Sequence, residues 1–228
     1  MYKRQVKGIT PNYFEIYRIS AFIKASSDDY LGADNDYKLA LELEPEDART
    51  LYYYAQFLLF KIEDIDSASV YAEKVYNLRP NHPYSNLLKA RLLLANSDFA
   101  QAISFLNDFV NEKVLPSSKD WRIALSEIMH CYQRWASNLI SYDQNYSLAA
   151  EKLLLSANFY EKAFAQGNVD KDMSDKLCKS LNMLVSQVPN FFVEIQLNKV
   201  LSLHEKFADQ MALSNSYPGV IQNYALGS

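Results

Sequence analysis

Three histidines and two cysteines are the side chains of this chain best able to ligate a soft metal ion or to pair as nucleophile and base. His82 and His204 stand far apart, and only His130 and Cys131 are adjacent. Neighbours on a helix diverge by about 100°, so those two cannot chelate one ion unaided. A Cys–His nucleophile would also need a third, orienting group, and nothing beside Cys131 suggests one. His204 falls on the apolar side of a helical pattern, where a satisfied core histidine is the simpler reading. The carboxylates Glu42, Glu44, Glu46 and Asp47 are more simply a solvated turn than an acid–base pair. GxSxG, Walker A, HExxH and GxGxxG patterns are absent from the sequence. The expectation is no catalytic residue, no metal and no cofactor.

Composition narrows the choice of elements that could position any site. The 228 residues include 5 glycines and 17 tyrosines, whereas average usage would supply about 16 glycines. So few glycines leave little provision for tight hairpins or for a phosphate-cradling loop, which disfavours extended β architecture and nucleotide-loop enzymes. At 49% hydrophobic and 22% charged, the chain reads as globular. A net charge of -4 argues against a nucleic-acid partner, which would call for clustered Lys and Arg. No window has 18 consecutive apolar residues, so no membrane span is expected. The opening Met1–Lys7 stretch is charged without an apolar run behind it, so no secretory signal is expected, and the setting reads as reducing and cytoplasmic.

An internal period organises the first half. Ala33, Ala68 and Ala102 recur at intervals of 35 and 34, and Pro45 and Pro80 lie 35 apart. Each unit reads as two helices: 14–27 with 30–44, 47–62 with 66–79, and 83–96 with 98–112. Tyr52, Ala55 and Leu59, then Leu87, Ala90 and Leu94, follow helical spacing. Asp28-Asp29, Asp64 and Asp98 supply N-cap oxygens, and Pro45, Pro80, Pro83 and Pro116 punctuate helix ends. Beyond residue 117 the period stretches. Helices are expected over about 117–142, carrying Trp121, Leu125, Ile128, Tyr132, Trp135 and Leu139 on one face, and over about 146–166, stopped by Gly167-Asn168. Two more follow, at 170–187 and about 190–213, the last with Val193, Leu197, Val200, Phe207 and Met211 along one side.

The period, the early small residue of each second helix and the Tyr37-x-x-Ala40 then Pro45 phrase resemble the tetratricopeptide repeat (TPR) family. Ala68, Val75 and Pro80 carry the likeness in the second unit, and Ala90, Ala102 and Phe109 in the third. Ala21, Gln56 and Ala90 stand where the family has its first-helix Gly. The resemblance covers about residues 14–116. It implies an all-α, right-handed TPR-like α-solenoid of antiparallel helix pairs, with a C-terminal capping helix. The organisation reads as a lead-in at 1–13, three repeats over 14–116, an enlarged fourth pair over 117–169, C-terminal helices and cap over 170–213, and a tail over 214–228.

In that family the first helices line a concave groove. Stepping along them gives Glu15, Arg18, Phe22 and Ala25, then Thr50, Tyr53, Phe57 and Phe60, then Tyr84, Leu87, Arg91 and Leu94. Of the Tyr52-Tyr53-Tyr54 run, Tyr52 should face the core, Tyr53 the groove and Tyr54 the flank. The best-known subclass grips chaperone tails with Lys, Asn and Arg; here Phe22, Tyr54, Tyr84 and Leu88 hold four of those places and only Arg18 keeps its charge. The resemblance therefore implies a protein-interaction module without catalysis. Its expected groove residues are Arg18, Phe22, Tyr53, Phe57, Phe60, Tyr84, Leu87 and Arg91, and its partner a peptide or helix of another protein. Three readings stand beside it. The protein could fill its own groove with residues after 190. The array is also similar to sensor or regulatory regions of larger bacterial signalling or defence NTPase proteins. Two copies could associate through the groove or an end face. Charge is segregated as well, at +4 over residues 1–24 and -7 over 25–48, as expected of a helix pair with attractive electrostatics or of an acidic edge that steers a basic partner.

Overall fold

The computed structural model describes residues 13–80, 82–112, 114–188, 194–212 and 214, without the side chains of 112, 194–198 and 200. Among them are ten α-helices and no strand. The lead-in except its last residue, the tail beyond Ser214, and Val193, Leu197 and Val200 of the expected last face lie outside the described residues or side chains. The helices form two compact units, residues 1–96 and 97–228. The division falls within the third expected helix pair.

The first unit holds α1 (Tyr13–Ser26), α2 (Tyr30–Leu43), α3 (Ala48–Phe57), α4 (Ile65–Leu78) and α5 (Pro83–Ala95). Helix α1 packs on α2 and α3 on α4, while α5 lies against both α4 and α3. Small residues set how closely these helices approach: Ala21, Ala33, Ala55, Ala68 and Ala90 are all buried. Around them pack Tyr37, Leu51, Tyr54, Phe57 and Leu88. The Tyr37 ring stacks on Tyr54 at 5.3 Å, and the Tyr54 hydroxyl donates to Asp34 at 2.7 Å. Lys24 and Asp36 join α1 to α2 in a 2.7 Å ion pair, the carboxylate also accepting from the Ser20 hydroxyl. The segregated charges therefore meet, in part, inside this helix pair.

The turns repeat as closely as the helices. Asp28, Glu63, Ser97 and Gln144 each have a positive φ, from 50° to 62°. Each is followed at once by a helix N-cap: Asp29, Asp64, Asp98 and Asn145, whose side chains accept the N–H groups of Gly32, Ser67, Gln101 and Leu148. The first three left-handed residues are separated by 35 and 34 positions, the interval of the buried alanines. Before Glu63 and Gln144 the chain widens into a π-helical turn, Leu58–Ile62 and Leu139–Asp143 respectively.

The second unit holds α6 (Phe99–Glu112), α7 (Lys119–Asn138), α8 (Tyr146–Ala165), α9 (Lys171–Gln187) and α10 (Glu194–Met211). Helix α7 packs on α6, α8 and α9, and α10 on α9. Trp121, Leu125, Ile128 and Leu139 are buried as their spacing predicts. A polar thread runs through this core. Gln133 donates to the Lys176 carbonyl and to the Ser180 hydroxyl, which donates to Ser156, which donates to the Met129 carbonyl. After Gly167 (φ +63°), Asn168 donates to the carbonyls of Pro116 and Ser118, at 2.9 Å each, and ties two loops together. The last helix leaves helical geometry at Phe207, whose ring packs edge-on to Tyr160 and Phe164.

Candidate functional site

The expected groove residues all belong to the first unit, on α1, α3 and α5 and the π turn after α3. Three short helices bring them together because each presents an aromatic side chain on the same side as its neighbour. Phe22 of α1 meets Tyr53 of α3 edge-on at 5.9 Å. Tyr53 meets Tyr52 at 5.4 Å, Tyr52 meets Tyr84 of α5 at 5.5 Å, and Tyr84 lies 5.4 Å from the His82 ring. The result is a row of rings crossing three helices. Phe22 and Tyr84 keep 54% and 43% of their surface exposed.

One cation sits over this row and another over Phe60. The Arg18 guanidinium lies 5.9 Å from the Tyr53 ring centre and Arg91 lies 5.8 Å from Phe60. The buried Nε of Arg18 has no hydrogen-bond partner, and Glu15, with which Arg18 pairs, is 4.0 Å away. Two hollows flank the rings. A cleft of about 180 Å³ is lined by Phe22, Tyr53, Phe57 and Phe60 among others. A larger one of about 540 Å³ lies beside Tyr52 and Tyr84, with Arg49, Arg79, His82 and Ser85 on its walls. Ser85 is 2% exposed and its hydroxyl has no hydrogen-bond partner. Buried polar groups are ordinarily paired, so Arg18 Nε and the Ser85 hydroxyl are exceptions within this unit.

Two of the eight expected groove residues are not on the surface. Phe57 is 4% exposed and belongs to the core with Tyr30, Tyr37 and Tyr54, reaching only the floor of the smaller cleft. Leu87 is 1% exposed, like its neighbour Leu88. Ala25, Thr50 and Leu94 of the wider stripe are buried too. The reason is that α3 packs against α1 and α5 as well as α4, so adjacent first helices cover each other's flanks and narrow the open face. The tyrosine run is also rotated from expectation. Tyr54 is in the core, and half-buried Tyr52 joins the open row, its hydroxyl accepting from Gln56 at 2.8 Å. The spacing of Leu51, Tyr54, Ala55 and Leu58 is a helical stripe that marks the true core face, and all four are buried. Ser85 carries no comparable sequence signal, because only the structure shows its hydroxyl unpaired.

Elsewhere both cysteines are buried. Burial pushes the Cys131 thiol up to about 12 and raises Cys178, while burial lowers His130. Among the described residues no cluster of three or more His, Cys, Asp or Glu is placed to hold a metal ion. No helix among them is long and apolar enough to cross a membrane. No family model matches the chain, and no curated protein matches it.

Proposed function

We propose that this chain is a TPR-like, right-handed helical array acting as a non-catalytic interaction module. Its open aromatic row binds an apolar segment of another protein. One observation carries the reading: four rings on three separate helices form a continuous, partly exposed strip beside open hollows. Aromatic and Arg side chains are those most enriched among binding hot spots. Helices packed on a common core hold the strip in place, so little ordering entropy is lost on binding. The Arg18 guanidinium over Tyr53, only 4.0 Å from Glu15, offers a polar anchor, which favours a segment carrying a carboxylate beside its apolar residues. The repeated left-handed turn and the recurring buried alanines support the repeat assignment.

The test is selection from a random peptide library displayed on phage, followed by titration. Binders should be rich in Phe, Leu or Trp. Phe22→Ser combined with Tyr84→Ser should weaken them at least tenfold, about 1.4 kcal/mol, with helical content unchanged because both side chains are exposed. A library yielding no binder, or binders indifferent to the double variant, rejects the proposal.

A further inference from the structure

Helices α7 and α9 of the second unit lie side by side and run in the same direction. The hydrogen bonds between them advance together along both: Ser126 donates to Asp172, and further on Gln133 donates to the Lys176 carbonyl and the Ser180 hydroxyl. Past Gln133 the two helices flank a hollow of about 530 Å³, within the size range of ordinary ligand sites. Its lining differs from that of the hollows beside the aromatic row. Arg134 of α7 and Lys179 of α9 both line it, and no Asp or Glu does. Side-chain amides and hydroxyls make up most of the rest, among them Ser137 and Asn138 of α7 and Asn182 and Ser186 of α9. Both cations are exposed, and among the described residues neither makes an ion pair, whereas the neighbouring Lys176 is held by Asp172 at 2.6 Å. The carboxylates of the two helices, Asp120, Glu127, Asp172 and Asp175, all stand in the N-terminal halves. Nor do the cations answer helix C-termini. Helix α7 continues through its π turn to Asp143, so Arg134 and Lys179 each sit about two turns before an end, beyond the last turn in which that field acts.

We infer that this hollow binds an acidic segment of another protein in extended conformation. Charge selects it first: unpaired Arg and Lys on two helices, with no acid beside them, complement carboxylates. Successive side chains of an extended strand point to opposite sides, so adjacent acids meet the two helices in turn. The amides select the conformation. An Asn side chain offers one donor group and one acceptor, as a peptide unit does, and so pairs with a strand whose main-chain groups are free. A helical segment, with those groups already bonded to each other, would leave the amides unused. A nucleic acid is a poorer occupant, because it calls for clustered cations and stacking rings, and two cations and one ring, Tyr142, line the hollow. The chain itself offers no such segment. Residues 1–12, 189–193 and 215–228 contain no Asp or Glu, and the acidic stretch over 25–48 is taken up mostly by α2. The hollow belongs to the second unit, and the inference does not rest on the aromatic row or on the function proposed for it.

Fluorescence anisotropy with the full chain tests it. The probe is a short dye-labelled peptide of Glu, Asp and Gly, capped at both ends so that only side-chain carboxylates are offered. It should bind saturably at roughly 10–500 µM and more weakly as salt is raised, while the same peptide with Gln and Asn in place of the acids should not bind. Arg134→Gln combined with Lys179→Gln should weaken binding at least tenfold, with the helical spectrum unchanged because both side chains are exposed. Arg49→Gln combined with Arg79→Gln removes the same charge from exposed sites of the first unit and should leave binding as it was, as should the Phe22 and Tyr84 variants. Arg134→Glu with Lys179→Glu should transfer binding to a capped peptide of Lys and Gly. A wild-type chain that ignores the acidic peptide overturns the inference. So does an equal loss in the two arginine and lysine double variants, equal binding of the amide peptide, or an oligothymidylate strand that binds through Arg134 and Lys179 more tightly than the peptide.

Discussion

At the scale of the residue, the left-handed turn is the feature that recurs. Asp28, Glu63, Ser97 and Gln144 occupy a conformation that L-residues adopt at a cost of roughly 1 kcal/mol and that glycine adopts freely. Asp28 is compensated, since its carboxylate accepts from Tyr30 at 2.8 Å and pairs with Lys61. Gln144 is exposed, and no side-chain bond holds it. Gln144→Gly should therefore stabilise the protein by about 0.5–1 kcal/mol, the relief of strain outweighing the added freedom of the unfolded chain. Thermal melting should show this as a rise of about 1–4 °C. A fall would mean that the turn is not strained. Scarce glycine thus reflects turns built from N-capping acids and amides rather than an absence of left-handed backbone.

At the scale of the element, carboxylates stand at the joints. Asp36 holds α2 to α1. Burial opposes its charge, but the Lys24 ammonium and the Ser20 hydroxyl win and hold it below the usual 3.8. Glu161 of α8 is likewise buried in part, yet Lys206 and Lys199 of α10 keep it low. A carboxylate lowered in the folded state binds fewer protons there than in the unfolded chain. Its contribution is therefore present above the unfolded value and lost as pH falls through the folded one. Melting temperature should hold level above about pH 5 and drop through about pH 4 and below. Asp36→Asn should cost about 1–2 kcal/mol at pH 7 and progressively less as pH falls below the usual 3.8; a cost that does not shrink with falling pH would assign the effect to shape rather than charge.

Helix boundaries were legible because caps and periods are local. Residues 30–44 and 83–96 were expected, and Tyr30–Leu43 and Pro83–Ala95 are found. The aromatic face was legible only in part. Phe22, Tyr53, Phe60 and Tyr84 follow from helical phase alone. The burial of Phe57 and Leu87 depends on how α1, α3 and α5 approach each other, which no single helix encodes. Tyr54, expected on the flank, takes the core place expected of Tyr52, and Tyr52 joins the open row, because the phase of α3 against its neighbours decides which ring meets which helix.

At the scale of the whole molecule, the chain is two helical units with cores of different character. The first is knit by tyrosine and phenylalanine rings. The second has a buried thread of Gln133, Ser156 and Ser180 hydrogen bonds, which specifies partners at some cost in net stability. What the first unit presents outward is unusually apolar for exposed helices: an aromatic row on one side and an isoleucine stripe on another.

The recurring turn also makes the chain divisible. Asp28 and Glu63 share one backbone shape, φ 61° and 62°, and each is followed by an aspartate N-cap. Residues 29–63 therefore begin and end at interchangeable joints. If a second copy of that segment is spliced in after Glu63, the single new junction is Glu63–Asp29, where Glu63 takes the place of Asp28 with the same backbone shape ahead of an aspartate N-cap. The lengthened chain should purify as a single species with the same helical fraction and a cooperative melt, checked by circular dichroism and light scattering. An aggregated or non-cooperative product would show that the joints match while the helix faces do not. Growth by whole-unit duplication, rather than by residue-scale drift, is the history such joints permit.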